Sequence, residues 1–139
     1  MRRGVVRYCG GFEVTENETV ARLLIIDDNV ELREMIEGIL AAEGYDTVGA
    51  SDGKKGMELH RSRPVDLVIT DLFMAGQEGL ETIGEFQKDF PKVKIIAISG
   101  SNSSSGSMLA VAKEMGATKV LGKPFDSKTL LQAIRELLG

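Results

Sequence analysis

The sequence predicts an α/β domain whose parallel sheet of five strands is covered by helices on both faces, and three observations predict it. Short, nearly continuous apolar runs recur five times from Arg22 onward. Longer stretches with helical spacing separate them, and Gly, Asp, Asn or Pro marks most changes of period. Strands buried on both faces lose the in-out alternation of a half-exposed sheet and read as unbroken β-branched runs, and parallel strands need helical crossovers between them.

The first run is Leu23-Leu24-Ile25-Ile26. After it, Leu32, Met35, Ile36, Ile39 and Leu40 recur at helical spacing and Gly44 supplies a stop, so a helix is expected there. A second run covers Tyr45 to Ala50, and a helix follows near Gly53 to Arg61. The third run, Val65 to Thr70, precedes a helix over Glu78 to Asp89; the fourth, Val93 to Ile98, precedes one over Ser107 to Met115. Thr118 to Leu121 is the fifth, and the closing helix carries Leu130, Leu131, Ile134, Leu137 and Leu138, with Asp126 and Ser127 as candidate N-caps. Right-handed crossovers then favour a doubly wound, flavodoxin-like sheet of strand order 2-1-3-4-5. Residues 1–21 show no sustained period and are expected to form a flexible extension, leaving 22–139 as one domain.

Composition removes several classes of function. A chain of 139 residues with 42% hydrophobic content builds one core. The net charge of −4 and the lack of a Lys/Arg run argue against direct nucleic-acid binding. The single Cys9 cannot form an internal disulfide. The start lacks the apolar run of a signal peptide, and nothing approaches the roughly 18 apolar residues of a membrane span. A cytoplasmic protein without membrane contact is therefore expected.

In a doubly wound sheet the chemistry sits beyond the carboxyl ends of the strands, and there the sequence places Asp27-Asp28 after the first run, Asp71 after the third, Ser99 after the fourth and Lys123-Pro124 after the fifth. Singly each has a plain structural reading: Asp28 or Asn29 as a helix cap, Asp71 as a turn residue, Pro124 as a strand boundary. Jointly, three carboxylates on neighbouring strand ends repel one another unless a cation joins them. Clustered carboxylates with room for water suit Mg²⁺. With Lys123 and the Ser99 hydroxyl donating to phosphoryl oxygens, one carboxylate can act as nucleophile and form an acyl phosphate.

These residues resemble the receiver domains of two-component response regulators, over essentially Arg22 to Gly139. The acidic pair of LLIIDDN resembles the family's metal-binding pair, the Asp of LVITDLFM its phosphorylation site, the Ser of IIAISG its switch residue and KPF its lysine followed by a cis peptide; Gly79 and AKEMGA fit as well. The resemblance implies that Asp71 is the phosphoacceptor, that Asp28 and Asp71 ligate Mg²⁺ directly, Asp27 mainly through water, and that the Phe73 carbonyl completes the protein's share. It implies a stand-alone, chemotaxis-type regulator with no output domain after Gly139, taking its phosphoryl group from a sensor histidine kinase or phosphotransfer protein and docking either on an effector or on a further phosphotransfer protein in a relay. Such a chain is no enzyme beyond its own phosphorylation and dephosphorylation.

Ala75, Phe73 and Val120 depart from the usual family pattern, Val120 standing where many members carry a rotating aromatic. Movement is therefore expected in the Ser/Gly-rich stretch Gly100 to Met108. A haloacid-dehalogenase-like phosphohydrolase is the alternative enzyme, but its general acid would fall at Phe73, which cannot transfer a proton. A constitutive docking module is the other alternative. His60, with no partner at metal-ligand spacing, reads as a solvated helix residue.

Overall fold

The computed structural model describes residues 5–9, 12–16, 20–72, 78–99, 105–123 and 125–138. Two strands precede the domain: β1 (Val5–Cys9) and β2 (Phe12–Glu16) pair antiparallel, with Cys9 opposite Phe12. Then β3 (Arg22–Ile26), α1 (Val30–Ala42), β4 (Asp46–Ala50), α2 (Gly53–Ser62), β5 (Leu67–Asp71), α3 (Glu78–Asp89), β6 (Lys94–Ser99), α4 (Ser105–Met115), β7 (Lys119–Gly122) and α5 (Ser127–Leu138) alternate. The five strands β3 to β7 form one parallel sheet in the order β4-β3-β5-β6-β7. That is the predicted 2-1-3-4-5 winding.

Side chains alternate across the sheet and each face meets its own helices. Leu24, Ile26, Val68, Ile95 and Ala97 pack with Met57 of α2, Leu80, Ile83 and Phe86 of α3 and Ala112 of α4. Leu23, Ile25, Leu67, Ile69, Ile96 and Ile98 pack with Ile36 and Leu40 of α1 and Leu130 and Ile134 of α5. Leu23 to Ile26 are at most 1% exposed, and full burial of each such side chain stabilises the fold by roughly 1.5–3 kcal/mol.

Local chemistry sets the helix ends. Leu32 N–H donates to Asn29 Oδ1 at 3.1 Å, so Asn29 rather than Asp28 caps α1. Asp52 caps α2 through Lys55 N–H at 2.7 Å, and Asp126 accepts from Thr129 N–H at 2.7 Å ahead of α5. Gly44 follows α1 with φ +92°, a conformation that glycine adopts without steric cost.

The structure adds two features that the sequence reading lacks. The hairpin lies within the segment expected to have no regular structure. Ala21, one residue before the expected boundary, is buried with Leu23 and Leu40, and its carbonyl accepts from Asp46 N–H at 3.0 Å.

Candidate functional site

The winding direction reverses between β3 and β5, the point in such sheets where loops part and leave a crevice. The register there runs Leu23↔Leu67 to Ile26↔Thr70, so Asp27 and Asp71 follow immediately on adjacent strands. On the other side Asp71 pairs with Ile98 and Ser99 with Gly122, which brings Ser99 and Lys123 to the same end. Four of the expected site residues are thus assembled by register alone.

Asp71 is 7% exposed and continues the face of Leu67 and Ile69. Lys123 Nζ donates to its Oδ2 at 3.0 Å. Lys123 is itself held by its main-chain N–H, which donates to the Ser99 carbonyl at 2.7 Å. Ser99 is fully buried, and its Oγ has no hydrogen-bond partner among the described residues. A buried hydroxyl without a partner costs free energy. Gly79 closes the far side: a Cβ there would stand 2.5 Å from the Asp71 carbonyl oxygen and 2.6 Å from Leu72 Cα, so α3 approaches the acidic strand end more closely than any side chain permits.

Asp27 is 4% exposed and accepts from Asn29 N–H at 2.9 Å. Burial pushes its carboxyl above the usual aspartate range; the Asn29 bond opposes this, Asp71 adds to it, Lys123 again opposes and Asp28 adds. Asp28 is exposed. Asp27 therefore feels both other carboxylates and the lysine. Every donor is a hard carboxylate oxygen, and among the described residues no three such side chains close into a ready-made cage. Carboxylate oxygens are the donors that a hard cation such as Mg²⁺ takes.

The response regulator receiver domain matches residues 23–135. The transcriptional regulatory protein GlrR of Escherichia coli strain K12 is 34% identical over 118 residues, covering 85% of this chain and 26% of that protein. The chemotaxis protein CheY of Thermotoga maritima is 30% identical over 117 residues, covering 84% of this chain and 96% of that protein. The crystal structure of NtrX from Brucella abortus superposes with a TM-score of 0.80 at 29% identity, covering 86% of this chain and 27% of that one. This chain belongs to the response regulator receiver domain family. It spans about a quarter of the length of GlrR and of NtrX, and nearly all of CheY. Receiver domains serve two-component systems, in which phosphorylation and Mg²⁺ binding are typical.

Within this receiver, Phe73, with its carbonyl, Ala75, Pro124 and Gly100 to Ser104 lie outside the described residues, as do the side chains of Ser105 to Leu109. Val120 is partly buried against the cluster of Leu24 and Phe86. One expectation is corrected. His60 is not solvated: it is 5% exposed, its Nδ1 accepts from Val65 N–H at 3.0 Å, and its ring meets Phe90 and Phe86 edge-on at 4.3 and 5.6 Å between centroids. Burial, and secondarily the Arg61 charge, lowers its pKa below the usual value. Its place among the buried residues Gly53, Gly56 and Met57 follows the i, i+3, i+4, i+7 stripe of α2, a signal already present in the sequence. Arg33, whose Nη1 donates to the Asp27 carbonyl at 2.8 Å, had no signal of that kind.

Proposed function

We propose that Asp71 accepts a phosphoryl group from the phosphohistidine of a sensor histidine kinase or phosphotransfer protein. The observation that carries this reading is the fully buried Ser99 Oγ, without a partner among the described residues, beside the strand end where Lys123 holds Asp71 at 3.0 Å. A hydroxyl kept in that condition suits a ligand that arrives later, and phosphoryl oxygens are strong acceptors.

In this reading the Asp71 carboxylate oxygen forms the new bond to phosphorus while the phosphorus–nitrogen bond of the donor breaks. Lys123, already paired with Asp71, balances the charge that collects there, and Ser99 Oγ donates to a phosphoryl oxygen once it is in place. Asp28 and Asp71 directly, Asp27 mainly through water and the Phe73 carbonyl would hold Mg²⁺, which when bound would neutralise phosphoryl charge and let the acidic cluster accept more. The receiver extends over 22–139, acts in the cytoplasm, turns over no outside substrate and signals by changed affinity for an effector protein. Phe73, two residues beyond Asp71, cannot serve as a general acid, so the phosphohydrolase reading is set aside.

Intact mass after incubation with acetyl phosphate tests the proposal. Wild type should gain one acid-stable, hydroxylamine-sensitive phosphoryl group only with Mg²⁺ present, and Asp71→Asn should gain none. Undiminished labelling of Asp71→Asn overturns it.

A further inference from the structure

We infer that Arg33 is a positioning residue, a side-chain brace that fixes the main chain of the acidic pair so that it can take a divalent cation. The inference rests on the Mg²⁺ reading above and concerns a residue outside the ligand set.

Three hydrogen bonds fix Asp27 in the turn from β3 into α1. Asp27 N–H donates to the Ala50 carbonyl at 3.1 Å, Asn29 N–H to Asp27 Oδ1 at 2.9 Å, and Arg33 Nη1 to the Asp27 carbonyl at 2.8 Å. The first two use the turn's own groups and the neighbouring strand. The third reaches in from the first full turn of α1, is charge-assisted, and fixes the peptide plane between Asp27 and Asp28. Rotation of that plane re-aims both carboxylates. The fold also reserves space for the brace: β4 has Gly49 where a Cβ would stand 3.0 Å from Arg33 Cδ and 3.1 Å from its Nε, and would fall on the Glu37 carboxylate. A side chain at Gly49 must displace Arg33 or Glu37.

The sign of the effect separates this role from simple electrostatics. A guanidinium acting only as nearby positive charge opposes a cation, so its loss would tighten Mg²⁺ binding. A guanidinium acting as a brace aids binding by holding the ligands in place, so its loss weakens it.

The test uses the full chain and Mg²⁺ alone. Metal affinity is read from the Mg²⁺-induced rise in thermal stability and from amide shifts of Asp27 and Asp28 during titration, both independent of phosphorylation. Metal-free stability, measured in parallel, captures any purely structural loss. Arg33→Met should raise the Mg²⁺ dissociation constant roughly 10-fold, the scale of losing a group that orients a metal ligand. Arg33→Lys, which keeps the charge but loses the guanidinium donor, should move it in the same direction. Unchanged or tighter binding in Arg33→Met overturns the role; should that variant fail to fold, Arg33→Lys decides by the same sign. A wild type that shows no Mg²⁺ response overturns the Mg²⁺ reading itself, and the brace with it.

Discussion

Near the amino ends of β5 and β6, His60 is buried against Phe86 and Phe90 and its Nδ1 takes the Val65 N–H; at the carboxyl end of β6, Ser99 is buried as deeply and its Oγ meets no partner among the described residues. The same contrast extends to charge. At the amino end Arg22 pairs with Asp46 at 3.0 Å and its N–H donates to Asp66 at 2.9 Å, with only Arg22 Nε unmatched among the described residues there. At the carboxyl end buried Asp27 feels the charges of Asp71 and Asp28, with Lys123 as the counter-ion. One end resolves its polar groups internally and serves stability. The other gathers carboxylates beside one lysine and leaves the Ser99 hydroxyl without a partner among the described residues, the arrangement on which the proposed phosphoryl acceptance rests.

The largest effect that tests this contrast is His60→Ala. It opens a cavity beside Phe86 and Phe90 and strands the Val65 N–H, so unfolding free energy should fall by roughly 2–4 kcal/mol in denaturant titration. Labelling of the folded fraction with acetyl phosphate should be unchanged, because His60 belongs to the amino end. Loss of labelling in a folded variant would join the two ends and break the contrast.

Gly79→Ala comes next. Its new Cβ would press on main-chain atoms of Asp71 and Leu72 rather than on a flexible side chain, so a loss of roughly 1–3 kcal/mol is expected, together with slower phosphoryl uptake. Gly38→Ala is the control. Gly38 lies within α1 with nothing inside 4 Å of the added Cβ, and helix propensity alone should stabilise it by about 0.5–1 kcal/mol.

How much of this was legible in the sequence follows the same division. The strands were readable because Leu23 to Ile26 and Ile95 to Ile98 are buried on both faces, which forces unbroken apolar runs. Asp27, Asp71, Ser99 and Lys123 were readable because the site of a doubly wound sheet lies at fixed strand ends. His60 is not legible from α2 alone, because a polar residue completes an apolar stripe when α3 brings a ring and the loop before β5 brings a donor to it. The hairpin was missed although Gly10-Gly11 separates two β-prone pentapeptides, a two-residue turn signal. Arg33 had no local signature, since its partner is a main-chain carbonyl placed by the fold.

Asp27→Asn should have a smaller and opposite effect. With burial first and then the neighbouring acids raising the cost of the Asp27 charge, the isosteric amide removes that charge while its Oδ1 still accepts from Asn29 N–H. Metal-free stability at neutral pH should rise by about 1 kcal/mol, as active-site residues often allow. The Mg²⁺-induced increment, about 1.4 kcal/mol for wild type at ten times its dissociation constant, should shrink. A loss of metal-free stability would mean that the carboxyl end is internally satisfied after all.

The smallest effect is the pH dependence from His60, because only the difference between its two protonation states is at stake. Its folded pKa lies below the ordinary 6.5, so in that window the unfolded chain binds more protons than the native one and stability rises with pH. The contribution is fully present above 6.5 and is lost as pH falls through the folded pKa. The cause is visible in the packing: protonation of Nδ1 cancels its acceptance from Val65 N–H and places a cation beside Arg61 and among the Phe86 and Phe90 rings. Comparing wild type with His60→Gln by denaturant titration between pH 7.5 and 5 isolates this contribution, since the two chains differ only at residue 60. The wild-type stability should fall more steeply. Parallel curves would show that His60 carries no proton linkage, and the amino end would then owe its stability to ring packing and the Val65 hydrogen bond alone.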